Sequence, residues 1–195
     1  MMSGKSWGYV VQFFCLLVFF GMSPFLIKMD GRKTMSVSSD SVRSQNVSDE
    51  VKPVVALTFD DGPNASSTPI LLDGLRERKV RATFFLIGEN VEKDENEKIV
   101  KRMYEEGHLI GNHTYTHCNL SKLETGEAKK ELEQTDTVIE KITGKQPVFV
   151  RAPYGELPVD SEQDLNRIYI GWTVDPLDWM TEDAGAVVKT VVEEI

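Results

Sequence analysis

The chain has 195 residues, enough for one domain of average size plus an appendage. Its content of 41% hydrophobic and 27% charged residues is that of a globular protein and argues against an intrinsically disordered chain. The formal net charge of −9 argues against a surface that binds phosphates, so we expect no nucleic acid partner.

The first element along the chain is an apolar N-terminal segment. Residues 7–27 are almost wholly apolar. About 20 such residues can span a membrane, whereas the core of a signal peptide has about 7–15. Pro24 follows a small-residue site at 21–23 and disfavours cleavage there. We therefore predict an uncleaved transmembrane signal-anchor at residues 1–28, which places the protein at the cell membrane with an extracytoplasmic domain. The alternative is secretion after signal cleavage.

Strands and helices are predicted to alternate after a flexible polar linker at residues 29–52. The domain is predicted at residues 53–195. The predicted strands are 54–59, 82–88, 108–112, 148–150 and 168–174. The predicted helices are one that begins at Thr68, then 97–106, 127–142, and 184 to the end. This alternation predicts an α/β fold with a parallel sheet and helices outside it.

Polar side chains follow four of the predicted strands. They are Asp60 and Asp61, His113 and His117, Arg151 and Tyr154, and Asp175 and Trp179. In barrel-like α/β folds, catalytic side chains collect at the edge where the strands end. The pattern therefore predicts a functional site at this edge.

The Asp pair and the His pair together indicate a metal site. Asp60 and Asp61 alone would be typical of a turn, and a lone His pair would be typical of an exposed surface. His113 and His117 are four residues apart, so both rings can face one side. Three of these four side chains could hold a divalent metal, leaving one carboxylate to take a proton from water. Zn²⁺ suits such ligands, and Fe²⁺, Co²⁺ or Ni²⁺ are also compatible. His108 lies upstream, and we interpret it as structural.

Two other side chains have a structural and a functional interpretation. Arg151 could pair with a surface carboxylate, which would contribute little, or it could orient Asp60. Trp179 could fill the core or form a wall against which a sugar ring packs.

Four ordered motifs resemble a known family, the polysaccharide deacetylases of the NodB-homology type, also called carbohydrate esterase family four. The motifs are Thr58-Phe59-Asp60-Asp61-Gly62-Pro63, His113-x-x-x-His117, Arg151-x-Pro153-Tyr154 and Asp175-x-x-Asp178-Trp179. The resemblance runs from about Val54 to Trp179. It implies a distorted (β/α) barrel that removes N- or O-acetyl groups from chitin-like or peptidoglycan sugars, so a polysaccharide is the expected partner. No obligate protein partner is evident.

The resemblance also implies roles for individual residues. The metal ligands would be Asp61, His113 and His117. Asp60 would be the general base, and Arg151 would orient it. The backbone N–H of Tyr154 would help to stabilise the oxyanion, Trp179 would line the substrate groove, and Asp175 would act with a catalytic histidine.

That catalytic histidine belongs to a fifth family motif, Leu-x-x-His, for which this sequence has no counterpart, because no histidine follows His117. The expectation is a barrel truncated before its last strand or strands, with weakened general acid catalysis, which typically contributes about 10²–10⁴-fold. Two alternatives follow. One is a catalytically weak, metal-holding carbohydrate-binding protein, and the other is a product that does not fold stably.

Overall fold

A computed structural model of the protein describes residues 15–18, 54–158 and 166–195. The strands are β1 (Cys15–Val18), β2 (Val55–Gly62), β3 (Thr83–Leu86), β4 (Leu109–Asn112), β5 (Phe149–Val150) and β6 (Ile168–Tyr169). The helices are α1 (Thr68–Arg78), α2 (Gly88–Val91), α3 (Asn96–Glu105), α4 (Thr125–Thr143) and α5 (Ala184–Glu194). Short 3₁₀ helices span Leu120–Lys122, Pro153–Gly155 and Asp178–Met180.

The strands form one sheet in the linear order β1-β2-β3-β4-β5-β6. β1 pairs antiparallel with β2, and every later pair is parallel. Parallel neighbours that follow one another in the chain need a crossover connection, and crossovers of one hand place their helices on one face of the sheet. The predicted α/β fold with a parallel sheet is confirmed.

Alternation along the strands separates a core face from a site face. Phe59 of β2 stacks on Phe84 of β3, with ring centroids 5.3 Å apart, and both belong to the hydrophobic core beneath the helices. Successive side chains of a strand point to opposite faces, so Thr58 and Asp60 lie on the other face of β2. There they meet Arg151, which donates hydrogen bonds to both. The apolar pattern that builds the core therefore also directs Asp60 to the site.

Most predicted elements of the domain are present, with differences at three places after the N-terminal segment. The helix α2 (Gly88–Val91) was not predicted, because four residues are too few to show helical periodicity. β2 extends through the Asp pair to Gly62. The strand predicted at 168–174 ends at Tyr169: Ile170 N–H still donates to the Val150 carbonyl, but the carbonyl groups of Ile170 and Gly171 accept from the Arg151 guanidinium.

Only four residues of the predicted transmembrane segment lie within the described ranges. Cys15–Val18, inside the predicted segment, form β1 on the edge of β2, and a short apolar run suits a strand as well as a helix. The rest of that segment and the predicted linker lie outside the described residues. Within the three described ranges, no helix is both long and apolar enough to cross a membrane. The membrane anchor stays a prediction.

Candidate metal centre

Three parallel strands of the sheet, β2, β4 and β5, deliver the side chains of the site. Asp60 and Asp61 lie near the end of β2, His113 directly follows β4, and Arg151 directly follows β5. The carboxyl ends of parallel strands meet at one edge of a sheet, where ligands bind in open α/β folds. Side chains that are up to 91 residues apart in the sequence are in contact there.

Left-handed backbone conformations are concentrated around this edge. Asp61, Thr114, His117 and Tyr154 have φ angles of 65°, 65°, 59° and 62°. Positive φ is uncommon for residues other than glycine, and such residues cluster at functional sites. Asn90 stabilises one of these turns by donating a hydrogen bond of 2.8 Å from Nδ2 to the Asp61 carbonyl oxygen.

Asp61, His113 and His117 offer three ligand atoms that all lie within 4.8 Å of one another. Asp61 Oδ1 is 3.3 Å from His113 Nε2 and 3.2 Å from His117 Nε2. Ligand atoms at the Zn–N and Zn–O distances of about 2.0–2.1 Å around a tetrahedral ion are about 3.3 Å apart. Asp61 Oδ1 is nevertheless buried and accepts no hydrogen bond. This carboxylate oxygen is thus buried between two ring nitrogens and has no hydrogen bond, an arrangement that suits a bound cation.

The two imidazole rings are held in different ways. His113 is 3% exposed, and its Nδ1 lies 2.7 Å from the backbone oxygen of Arg151. A carbonyl oxygen can only accept, so Nδ1 carries a proton, and in the neutral ring that a metal requires the lone pair of Nε2 faces Asp61. The His117 side chain is 29% exposed, and its Nδ1 is 3.4 Å from the Tyr154 hydroxyl. His113 is therefore fixed by its own ring, whereas His117 is held more loosely.

The charge of Asp61 is stabilised by the same two rings. Burial on its own raises the pKa of the Asp61 carboxyl, but the positive charges that His113 and His117 carry when they are protonated outweigh it and hold that pKa well below its usual range. The carboxylate is therefore ionised at neutral pH, as a metal ligand must be.

Arg151 lies directly behind the second carboxylate, Asp60. Its side chain is 1% exposed and donates to Asp60 Oδ1 at 2.7 Å and to Thr58 Oγ1 at 2.8 Å. The same guanidinium donates to the carbonyl oxygens of Ile170 and Gly171 at 3.2 and 2.9 Å. A planar fork with five donors can serve all these acceptors at once, and a lysine could not. Asp60 is thereby held in one orientation beside the Asp61 triad.

A cavity of 440 Å³ opens above the two aspartates. Its lining residues are Asp60, Asp61, His113, His117, Ala152, Tyr154, Trp172, Asp175, Asp178 and Trp179. Seven of the eight predicted site residues line it, and the eighth, Arg151, contacts Asp60 from behind. Tyr154 and Trp179 are 66% and 58% exposed and form aromatic walls at its mouth.

Trp172 and the buried Asp178 line this cavity but were not predicted as site residues. Trp172 was assigned to the strand 168–174. The observed strand ends at Tyr169, so Trp172 lies in the loop beyond the strand, where site residues collect. Asp178 belongs to the fourth motif, but the resemblance assigns it no role. A shorter strand assignment would have identified Trp172.

The family model for polysaccharide deacetylase matches residues 48–170. The chain belongs to the polysaccharide deacetylase family. It is 43% identical over 144 residues to a peptidoglycan-N-acetylglucosamine deacetylase of Bacillus cereus, an alignment that covers 72% of this chain and 52% of that one. It is 37% identical over 154 residues to the peptidoglycan-N-acetylmuramic acid deacetylase PdaC of Bacillus subtilis, with coverage of 79% and 32%. The chain thus spans about half or less of the length of these two relatives.

Solved structures show the same fold. The structure of PdaC from Bacillus subtilis has a TM-score of 0.67 at 37% identity and covers 71% of this chain and 67% of that chain. A family 4 acetyl xylan esterase from Clostridium thermocellum, in complex with a cobalt ion, has a TM-score of 0.66 at 30% identity, with coverage of 71% and 67%. The resemblance inferred from the four motifs is confirmed, as is the fold of the parallel sheet.

Proposed function

We propose that this chain is a metal-dependent hydrolase that removes acetyl groups from N-acetylated or O-acetylated cell-wall polysaccharide, such as peptidoglycan or a chitin-like glycan. One observation carries the proposal: the triad of Asp61, His113 and His117 lies beside an Arg-oriented carboxylate, Asp60, in an open cavity. The names of the relatives, which are peptidoglycan and chitooligosaccharide deacetylases, support the choice of reaction.

Asp61, His113 and His117 would hold the metal through one carboxylate oxygen and two Nε2 atoms. When bound, such a cation polarises the acetyl carbonyl and makes water more acidic. We propose Zn²⁺ because two imidazoles, one carboxylate and an open position are its common catalytic ligand set. Co²⁺, Ni²⁺ and Fe²⁺ share these ligand preferences.

Asp60 would act as the general base. As the water oxygen bonds to the acetyl carbon, Asp60 accepts one water proton, while Arg151 holds its carboxylate toward the cavity. The C–N bond then breaks, and the nitrogen that leaves with its electron pair must gain a proton. Protonated Asp60 faces the same cavity and can return the proton it took. Asp175 also lines the cavity, and we place it near the leaving group.

The aromatic side chains around the cavity would bind the sugar. Trp179 and Tyr154 are exposed at the mouth, and sugar rings pack against such flat apolar faces. We assign the backbone N–H of Tyr154 to the developing oxyanion, where a fixed donor lowers the barrier. Changing Trp179→Ala should raise KM while leaving kcat nearly unchanged, because stacking holds substrate and transition state alike. A fall in kcat at constant KM would contradict this role.

Acetate release tests the proposal. The protein is assayed on acetylated peptidoglycan and on N-acetylglucosamine oligomers with added Zn²⁺ or Co²⁺, and after chelation. Asp61→Ala should lose both metal and turnover. Asp60→Asn should retain metal but lose about 10²–10⁴-fold in kcat, the usual contribution of a general base. Asp73→Asn, an exposed carboxylate on α1, is the matched control and should leave both unchanged.

The outcomes separate the alternatives. For the wild type and each variant, metal content is measured by elemental analysis together with the rate of acetate release. Equal metal content in the wild type and Asp61→Ala would refute the ligand assignment. Glycan binding without acetate release above the chelated control would refute the hydrolase and support the carbohydrate-binding alternative. A non-cooperative melting curve by circular dichroism would support the alternative of an unstable product.

We also propose that the protein acts at the outer face of the cell membrane. The apolar run at residues 7–27 and a polysaccharide substrate support this location. Cell fractionation with carbonate extraction tests it, since an anchored chain stays in the membrane pellet. Recovery of the chain in the medium, shortened at its N-terminus, would instead support secretion.

A further inference from the structure

The histidine loop, residues 114–117, carries one member of the metal triad. It begins at Thr114 and ends at His117, and both have left-handed backbone conformations. These two reversals turn the chain so that His117 Nε2 reaches 3.2 Å from Asp61 Oδ1. The loop has no strand or helix of its own, so its backbone groups need partners elsewhere.

Glu131 of α4 supplies those partners from across the loop. Its Oε2 accepts hydrogen bonds from the backbone N–H groups of both Tyr115 and Thr116, each at 2.9 Å. The Thr116 hydroxyl also lies 3.2 Å from each of the two carboxylate oxygens. Hydrogen bonds to an ionised acceptor are roughly twice as strong as neutral ones. One side chain therefore fixes two consecutive peptide groups next to a metal ligand.

The opposite side of the loop is fixed by α2. The N–H groups of Gly88 and Glu89 donate to the carbonyl oxygens of Thr114 and Tyr115, both at 3.0 Å. The loop is thus held between two helices, with its carbonyl groups on α2 and its amides on Glu131. On the α2 side the backbone groups of the loop are bound by other backbone groups, and the Tyr115 hydroxyl donates to the Glu92 carboxylate; on the α4 side the loop amides are bound by the Glu131 side chain.

α4 is itself attached to the strand that delivers the other histidine. Asn112, the last residue of β4, donates from Nδ2 to the Leu132 carbonyl at 2.8 Å and to Asp136 Oδ1 at 2.6 Å. The same carboxamide accepts from Thr114 N at 2.8 Å. Glu131 is next to Leu132 on α4. These hydrogen bonds fix α4 relative to the end of β4 and His113, and they thereby fix the backbone from which the Glu131 side chain extends.

We propose that Glu131 is a positioning residue for the metal site: its carboxylate holds the histidine loop so that His117 converges with His113 on Asp61. This inference rests on the proposed metal-dependent function. His113 is fixed by burial and by its own hydrogen bond to the Arg151 carbonyl, whereas the His117 ring is partly exposed and its Nδ1 has only a long contact of 3.4 Å with the Tyr154 hydroxyl. The place of His117 therefore depends on its backbone, which Glu131 holds.

Cobalt binding to the full chain tests this role without relying on turnover. Glu131→Gln retains a carbonyl oxygen that can accept both amides, so it should bind Co²⁺ within about threefold of the wild type. Glu131→Ala lacks the acceptor, and Glu131→Asp keeps the charge but is one methylene too short. Both should weaken Co²⁺ binding by about 10–100-fold, as loss of a supporting partner typically does. Their visible d–d absorption should also change, since it reports ligand geometry.

Matched controls keep the outcomes distinct. Glu133→Ala removes an exposed carboxylate two residues along α4 that pairs only at the surface with Lys129, and it should bind Co²⁺ like the wild type. Melting curves identify any variant that is unfolded. If Glu131→Ala is unfolded, the comparison of Co²⁺ binding by Glu131→Gln and Glu131→Asp tests the inference. The inference would be overturned if Glu131→Ala and Glu131→Asp both bound Co²⁺ with the affinity and visible spectrum of the wild type. It would also be overturned if Glu131→Gln and Glu131→Ala weakened Co²⁺ binding equally. If the wild type itself binds no Co²⁺, the proposed metal-dependent function fails with it.

Discussion

Replacing Arg151 with methionine tests how much the site depends on one buried cation. The side chain of Arg151 is 1% exposed and that of Asp60 is 15% exposed, so water screens their contact of 2.7 Å only weakly. Methionine keeps most of the apolar volume and removes all the donors. Asp60 then loses its counter-charge, and Thr58 Oγ1 and the carbonyl oxygens of Ile170 and Gly171 lose a donor.

The size of the effect follows from the burial of the pair. Removing one partner of a buried ion pair costs about 3–5 kcal/mol, because the other charge stays buried without compensation. Asp60 keeps some contact with water, so we expect the lower end, about 3 kcal/mol. For a chain of this length, each kcal/mol lowers the melting temperature by about 2–4 °C. The expected loss is therefore about 6–12 °C.

Thermal unfolding followed by circular dichroism measures this loss in a double-mutant cycle. The four proteins are the wild type, Arg151→Met, Asp60→Asn and the double variant. Neutralising Asp60 removes the uncompensated charge, so the double variant should be more stable than the sum of the single changes predicts, with a coupling of about 1–3 kcal/mol. Arg151→Met within about 3 °C of the wild type, or a coupling near zero, would refute the assignment of Arg151 to a buried pair.

Two further predictions concern the supports of the site. In Gly88→Ala, the new Cβ would collide with the Tyr115 ring in the histidine loop, so we expect the free energy of unfolding to fall by about 1–3 kcal/mol and Co²⁺ binding to weaken. The control is Gly126→Ala, whose Cβ meets no atom within 4 Å and should leave the stability unchanged or slightly higher. Equal melting temperatures for both would contradict the packing. Burial lowers the pKa of His108, whose Nδ1 accepts from Ala82 N–H, so protonation opposes folding. Stability from the neutral ring is complete above the unfolded pKa near 6.5 and is lost as the pH falls through the lower folded pKa. His108→Asn keeps an acceptor but does not titrate, and its melting temperature should fall less than that of the wild type between pH 7.5 and 5; equal falls would exclude the role.

The local pattern of the sequence was enough to locate the elements and the chemistry. Apolar runs predicted β3 and β4, and helical periodicity predicted α3 and α4, because burial on one face imposes a period of 2 or 3.6 residues. Elements that are too short to show a period were misjudged. The four-residue helix α2 is not predicted, and the strand predicted at 168–174 is five residues longer than β6. Trp172, which contributes to the apolar run, lines the cavity instead of extending the sheet.

By itself, the sequence determined which atoms could bind a metal: the two adjacent aspartates and the two histidines four residues apart are local features, and their donor chemistry does not depend on the rest of the chain. The tertiary structure decided how those atoms are held. Arg151 reaches Asp60 across 91 residues, and Glu131 reaches the histidine loop across 15 and 16 residues. No local period encodes such distances, because they depend on how strands and helices pack. The packing also gives His113 its tautomer, through a backbone carbonyl that the sequence pattern cannot indicate.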